Sequence, residues 1–378
     1  MGEQRKTILH IVKLNPKKLG SFEEYIIALH REILSRGLRG IIIFESEVPP
    51  SLRDRYNGIE IKTLSQKEGF FSFYFKLFRF IKEYKPDIVH IAFHPIFSEI
   101  SFLVYLFGAR NIIFSDRISG EIKRKKFIKR KFSFIKNKFI NQFIRKIICV
   151  SDYVQNRDSF IPGIDRTKLV TILNGVNLKR FDSSGVSRQD IRQQFKIGES
   201  AFLVTNISHL VKVKGIDVIV KAAKAINIKY KDIIFLIVGV GKDEEKIKSM
   251  VNEFSLEGVV QFAGLRNDTE NILAASDMFV YPSVWQEACG FGIIEALACG
   301  LPVITTQVGG TPELIMDGFN GFLIESNSSE ALAKKIEYLY LNRDFLKKMG
   351  ECAKKDARKR LDLNRVVSQV MDVYARYL

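Results

Sequence analysis

Short runs of almost purely apolar residues alternate with helical stretches along this chain, and the alternation is played out twice. In the first half the runs are Ile8–Val12, Ile41–Phe44, Ile88–Ala92, Ile112–Phe114 and Ile147–Val150. In the second half they are Phe202–Ile207, Ile233–Val238, Val259–Phe262, Met278–Tyr281 and Pro302–Thr305. A strand with one wet face alternates apolar and polar residues, whereas a strand that is apolar throughout is buried on both faces. Helical patterns between the runs, such as Glu23–Ser35, Gly215–Ala225 and Lys242–Phe254, supply the covering layers. At 378 residues the chain is too long for one ordinary domain. The expected fold class is therefore α/β, with two doubly wound, Rossmann-like parallel-sheet domains in tandem and a central cleft between them. The small and polar stretch FDSSGVSRQ (181–189) marks the join. Residues 1–185 then form an N-terminal domain and 186–360 a C-terminal one. The terminal segment 361–378 carries a last helical pattern, Arg365–Leu378, that can pack back on the first domain.

Composition closes off other classes. With 46% apolar and 27% charged residues the chain is globular, not disordered or fibrous. Cys149, Cys289, Cys299 and Cys352 show no paired spacing, so neither a disulfide framework nor a zinc site is expected, and a reducing compartment fits. The opening MGEQRKTILHIVKLN has no apolar signal-peptide core, and the apolar runs are far too short to span a bilayer. The net charge of +17 is lopsided: residues 1–185 carry +16 and residues 186–378 only +1. Residues 122–146 alone hold 11 basic side chains and no acidic one.

In doubly wound folds ligands bind beyond the carboxyl ends of the strands. The densest candidate follows the run Met278–Tyr281: YPSVWQEACGFGIIEALACGLPVITTQVGGTPEL (281–314). Glu287 and Glu295 stand eight positions apart, with Gly290-Phe291-Gly292 between them. A glycine-rich turn that opens a helix, here Ile293–Cys299, presents free N–H groups and a positive dipole end, which suits a diphosphate. Glu295, near the first turn, is placed to reach a ribose hydroxyl beside the phosphates, and Glu287 to meet a sugar from the loop before it. The plainer alternative is a helix-start glutamate favoured by the dipole and glycines that only make a turn.

This stretch resembles the signature of the family 4 retaining glycosyltransferases, which have the GT-B fold. Further segments resemble that family in the same order: VSDYVQNRD (150–158), TILNGVNLKRF (171–181), SHLVKVKGID (208–217), VGVGKDEEKI (238–247) and VGGTPELIMDGFNGFLI (308–324). The resemblance is close over the second half and loose over the first. It implies a nucleotide-diphosphate-sugar donor held by the second domain. Glu295 would bind the ribose hydroxyls, and Lys214 with the backbone of Gly290, Phe291, Gly292 and Ile293 would bind the diphosphate. Glu287 would contact the sugar. It further implies retention of anomeric configuration, with electrostatic stabilisation of the leaving diphosphate and neither metal nor other cofactor.

Three positions depart from the family pattern. His209 stands where the family usually has an arginine, five residues before Lys214; it either supports the phosphates or only fills the turn, and Lys212 is the alternative cation. Gly20, in KKLGSFEEY, is what remains of a glycine pair after the first strand, either approaching a phosphate or the acceptor or making an ordinary turn. The family's first-domain histidine is replaced in FSDRISG by Arg117 or Ser115, and an arginine cannot act as a base near neutral pH. Arg117 and His94 are the acceptor-side candidates.

The basic segment interleaves its charge with Ile128, Phe132, Ile135, Phe139 and Phe143 at helical spacing. It is either a core-facing helix with a solvated basic face, or an interfacial helix on an anionic membrane with its lysines snorkelling. No nucleic-acid motif accompanies the charge, so a nucleic-acid partner is not expected. The expected function is a retaining hexosyltransferase acting on a glycan or lipid-linked glycan in surface-polysaccharide assembly (capsule, lipopolysaccharide), cytoplasmic and peripheral at the inner face of the plasma membrane. The alternatives are transfer to a soluble small acceptor, or a catalytically silent membrane scaffold.

Overall fold

The computed structural model describes residues 5–16, 20–65, 67, 69–121, 127–182 and 188–378. The first elements in chain order are β1 (Thr7–Val12), α1 (Ser21–Ser35), β2 (Arg39–Phe44), β3 (Glu60–Thr63), α2 (Phe70–Tyr84) and β4 (Ile88–Ala92). Then come α3 (Ile100–Leu106), β5 (Asn111–Asp116), α4 (Phe127–Asn141), β6 (Ile144–Cys149), α5 (Asp152–Ser159) and β7 (Leu169–Thr171). They are followed by α6 (Leu178–Asp182), α7 (Arg188–Gln194), β8 (Phe202–Ile207), α8 (Ile216–Asn227), β9 (Ile233–Val238), α9 (Glu244–Glu253) and β10 (Val260–Gly264). The last are α10 (Thr269–Ala275), β11 (Met278–Tyr281), α11 (Phe291–Ala298), β12 (Val303–Thr306), β13 (Gly321–Ile324), α12 (Ser329–Leu341), α13 (Arg343–Arg360) and α14 (Leu363–Ala375).

Two wholly parallel sheets result. One has seven strands in the order β3-β2-β1-β4-β5-β6-β7, the other six in the order β10-β9-β8-β11-β12-β13. In the first sheet Leu9 pairs with Ile41 on one side and Val89 on the other, so both neighbours of β1 are apolar and its residues are buried throughout. The second sheet repeats this around β8, where Val204 pairs with Phe235 and Met278. Sequence reading misses β3, β7 and β13. Each lies on an edge of its sheet or is only three or four residues long, so none makes a long apolar run.

The chain divides into two compact units, Met1–Asn174 with Leu363–Leu378, and Gly175–Asp362. The boundary therefore falls before the expected one at 185. Val176 forms a parallel bridge with Asp362 and donates its N–H to Leu361 at 3.0 Å. Arg180 reaches Glu270 at 2.6 Å, and Asp182 pairs with Lys354 and Arg358. These ties put 175–182 in the second unit. Residues 183–187, the middle of the expected join, lie outside the described residues. The segment from Leu363 belongs to the first unit.

What fixes α14 there is polar as well as apolar. His30 Nε2 lies 2.8 Å from His10 Nδ1, His10 Nε2 lies 2.8 Å from the Tyr374 hydroxyl, that hydroxyl lies 2.5 Å from His90 Nδ1, and His90 Nε2 lies 2.7 Å from Ser115 Oγ. The five residues come from α1, β1, α14, β4 and β5, and every one of them is buried. One direction of proton donation satisfies the whole chain with neutral rings, from His30 through His10, Tyr374 and His90 to Ser115.

The opposite pattern appears on α4. Among its described side chains the buried ones are Asn137, Ile140 and Asn141, while Phe132 is 76% and Ile135 68% exposed and Phe139 is exposed as well. Of the two readings of this apolar stripe, core-facing or interfacial, the core-facing one does not describe Phe132, Ile135 and Phe139, and Phe143 lies past the end of the helix. The side chain of Ile128 and all of residues 122–126 lie outside the described residues. Ring contacts of about 5 Å join Phe139 to Phe102 and Phe143, and Phe107 to Phe78, so α2, α3 and α4 form one aromatic row. Phe70, Phe71 and Phe75 of α2 extend its exposed surface.

Candidate active site

The strand order of the second sheet reverses direction between β8 and β11, the switch point at which doubly wound folds open a crevice. The loops that leave β8, β11 and β12 bring the candidate residues together there. Lys212–Lys214 make a single tight turn ended by Gly215 in left-handed conformation, φ +69°. A side chain at 215 would stand 2.0 Å from the Pro282 carbonyl oxygen, so glycine is what lets the two loops touch. That contact delivers Lys214 Nζ to the Tyr281 hydroxyl and to Glu287 Oε1, both at 2.7 Å. Ser283 Oγ lies 2.6 Å from the same carboxylate oxygen. Glu287 is 4% and Ser283 0% exposed.

The β12 loop holds Glu287 from behind. Gly310 N–H donates to the Glu287 carbonyl at 2.8 Å. At Gly309, φ +57°, an added Cβ would lie 2.1 Å from that carbonyl oxygen. The glycine pair of VGGTPEL therefore presses directly on the residue expected to meet the sugar. Burial works against the Lys214 ammonium, but Tyr281 and Glu287 outweigh it and its pKa is raised. Burial and Glu287 push the Tyr281 phenol up to about 12. Lys214 therefore stays a charged ammonium near neutrality, held beside the buried Glu287 side chain.

Gly290 caps α11 with extended backbone and no capping side chain. At Gly292 an added Cβ would come within 3.0 Å of the Ile207 carbonyl oxygen, so the helix opens hard against the end of β8. Phe291 is the first helical residue and Ile293 the third. Glu295 is the fifth and lies in the second turn, deeper than expected from the sequence, where it is nearly buried. His209 sits on the β8 loop with its ring exposed. The glycines of VGVG shape that loop from below: a Cβ at Gly239 or Gly241 would meet the Ser208 or Leu210 carbonyl oxygen at 2.0 and 2.2 Å. Tyr281 and Ser283 escaped the sequence reading, although a tyrosine and a serine closing an apolar strand at the switch point were a usable signal.

The first-unit candidates fare differently. The Gly20 amide is occupied by the Glu23 carboxylate at 3.1 Å, the N-terminal closure of α1. Gly20 has ordinary extended backbone. The Arg117 guanidinium lies over the Tyr25 and Phe22 rings at 4.5 and 5.1 Å and donates to Asn174, a packing role. Ser115 is buried, its hydroxyl 2.7 Å from His90 Nε2. His94 is buried, and desolvation with help from Lys13 lowers its pKa to about 4, so it is a neutral imidazole.

Fold and site define a two-unit, doubly wound protein with an ammonium–carboxylate pair at the switch point of its second sheet. Residues 187–356 match the family described as glycosyl transferases group 1, and residues 22–180 match glycosyltransferase family 4. The chain belongs to these glycosyltransferases, and its fold is GT-B. An uncharacterized glycosyltransferase of Methanocaldococcus jannaschii is 24% identical, with 95% of each chain covered. An Escherichia coli UDP-Gal:α-D-GlcNAc-diphosphoundecaprenol α-1,3-galactosyltransferase is 28% identical over 68% of this chain and 66% of its own. Among solved structures, Anabaena HepE in complex with UDP is 20% identical with a TM-score of 0.81, covering 98% of this chain and 100% of its own.

Proposed function

We propose that this glycosyltransferase moves a hexose-type sugar, with retention and without a metal, from a nucleoside-diphosphate sugar to a glycan or lipid-linked glycan in surface-polysaccharide assembly. The Lys214–Glu287 pair carries the reading: a charged ammonium buried beside a carboxylate at 2.7 Å, at the point where this fold receives ligands. Lys214 and the N–H groups opening α11 neutralise the departing diphosphate, supported by His209. Glu287 accepts hydrogen bonds from the sugar hydroxyls, and Glu295 from the ribose. The UDP-bound structural neighbour and the diphosphoundecaprenol-acting relative favour this donor class and this kind of acceptor.

The test is donor cleavage without acceptor. Incubated with UDP-, GDP-, ADP- and dTDP-hexoses in excess EDTA, the enzyme is expected to release one nucleoside diphosphate slowly, and proton NMR of the first-formed sugar to show the donor's anomer. Release from none of them, or an inverted product, defeats the reading.

The exposed stripe of α4 supports a peripheral place at the inner face of the plasma membrane. No helix among the described residues is long and apolar enough to cross a membrane. Phe132, Ile135 and Phe139 are apolar anchors flanked by the exposed cations Lys131, Lys136 and Lys138. Each cation near an anionic leaflet contributes about 1 kcal/mol. Replacing Lys136 and Lys138 by alanine should weaken flotation with phosphatidylglycerol vesicles by about 30-fold. Equal recovery on neutral and anionic vesicles would remove the membrane from the proposal.

A further inference from the structure

Beside the exposed stripe of α4 lies a groove of about 610 Å³ lined by none of the candidate active-site residues. Phe134 and Ile135 of α4 form one wall, and Phe160 and Ile164 of the segment after α5 form the other. Lys131 and Arg166 flank it. The two walls are fastened together. Asn137 Nδ2 donates to the Pro162 carbonyl at 2.9 Å. Gly163, φ +85°, approaches so closely that a Cβ would sit 2.6 Å from the Phe134 carbonyl oxygen and 2.7 Å from the Lys138 nitrogen. The volume falls within the range of about 300–1,000 Å³ typical of small-ligand sites.

We propose that this groove takes one acyl chain of an anionic phospholipid, with the lipid phosphate held between Lys131 and Arg166. The apolar walls decide the chemistry. A peptide laid along them would bury backbone N–H and C=O groups without partners, whereas an alkyl chain has none to satisfy. The two cations select an anionic headgroup over a zwitterionic one, and Ile135 belongs to both the groove and the exposed stripe. A protein resting on a bilayer through α4 thereby gains a lipid drawn into its flank. Only the source of the lipid rests on the membrane reading above; the groove can be tested without a membrane.

The probe is dihexanoyl phosphatidylglycerol, kept below its micelle concentration and titrated calorimetrically into the full chain. Saturable one-to-one binding is expected, strengthening about fourfold per added methylene that becomes buried. Glycerophosphoglycerol, which lacks the chains, and dihexanoyl phosphatidylcholine, which lacks the net charge, should each bind at least tenfold more weakly. Ile164→Trp, which fills the groove, should abolish binding. Arg166→Glu, at an exposed position, should weaken it at least tenfold with unchanged Tm. Binding of the chainless headgroup as tightly as the lipid, equal binding of the two lipids, or no saturation overturns the proposal. A wild-type chain that floats with vesicles yet ignores the short-chain lipid overturns the groove alone. A chain that binds the short-chain lipid yet does not float overturns the membrane reading and leaves the groove standing.

Discussion

Lys214→Ala is expected to lower kcat/KM for sugar transfer by about 10²–10³-fold, the loss typical of removing one preorganised group that stabilises a developing oxyanion. The β8 loop delivers this ammonium onto Glu287, and it is held by two contacts of 2.7 Å. Charge builds on the leaving diphosphate only as the glycosidic bond breaks, so the loss should fall mainly on kcat. The raised pKa keeps Lys214 charged well above neutrality, so its loss should be equally severe across pH 6–9. His209→Ala should cost far less, about tenfold, because an exposed imidazole offers one hydrogen bond and His209→Arg should restore it. Steady-state kinetics with the donor identified by the cleavage screen decide the matter. Activity within threefold of wild type in Lys214→Ala would end the electrostatic assignment.

This site was legible in the sequence to the extent that its parts are local. Glu287 and Glu295, the glycines between them and the strand before them lie in one stretch, and apolar runs located the central strands of both sheets to within three residues. The Lys214 contact depends on Gly215 meeting the Pro282 carbonyl across 67 residues, which no spacing reveals. The first unit was harder to read because its polar residues serve packing. Arg117 stacks on α1, Ser115 turns to His90, and the histidines His10, His30 and His90 sit in strands or a helix that read as plain core. Amphipathicity left two readings of α4 open because an exposed aromatic stripe and a buried one have the same period; only the packing of Asn137 and Ile140 shows which face is inside. The edge strands β3, β7 and β13 escaped because three or four residues are too short to make a pattern.

Acidification from pH 7 to pH 5 is expected to destabilise the first unit by about 5–6 kcal/mol and leave the second almost untouched. Burial, reinforced for His10 and His90 by neighbouring cationic or histidine groups, lowers the pKa of four rings: His30 and His90 to about 3, His94 to about 4, and His10 well below its ordinary value. The unfolded chain takes up these protons near pH 6.5, the folded chain only well below that. Stability is therefore present in full above pH 6.5 and is lost as pH falls below it. At pH 5 the loss is about 2 kcal/mol per ring, and it depends only on the folded values lying well below 5. Asp158 works the other way. Burial and Asp116 push its carboxyl up to about 8, so the folded state holds a proton there that the unfolded state releases, and this offsets about one ring. The second unit contains a single histidine, the exposed His209. Native-state hydrogen exchange at pH 7, 6 and 5, corrected for intrinsic rates, reads each sheet separately. The amides of β1, β4 and β5 should lose protection by about 10⁴-fold while those of β8, β9 and β11 hold. Parallel losses in the two sheets, or none in the first, would mean that the His10–Tyr374–His90 chain is not held neutral and that α14 is kept in place by apolar packing alone.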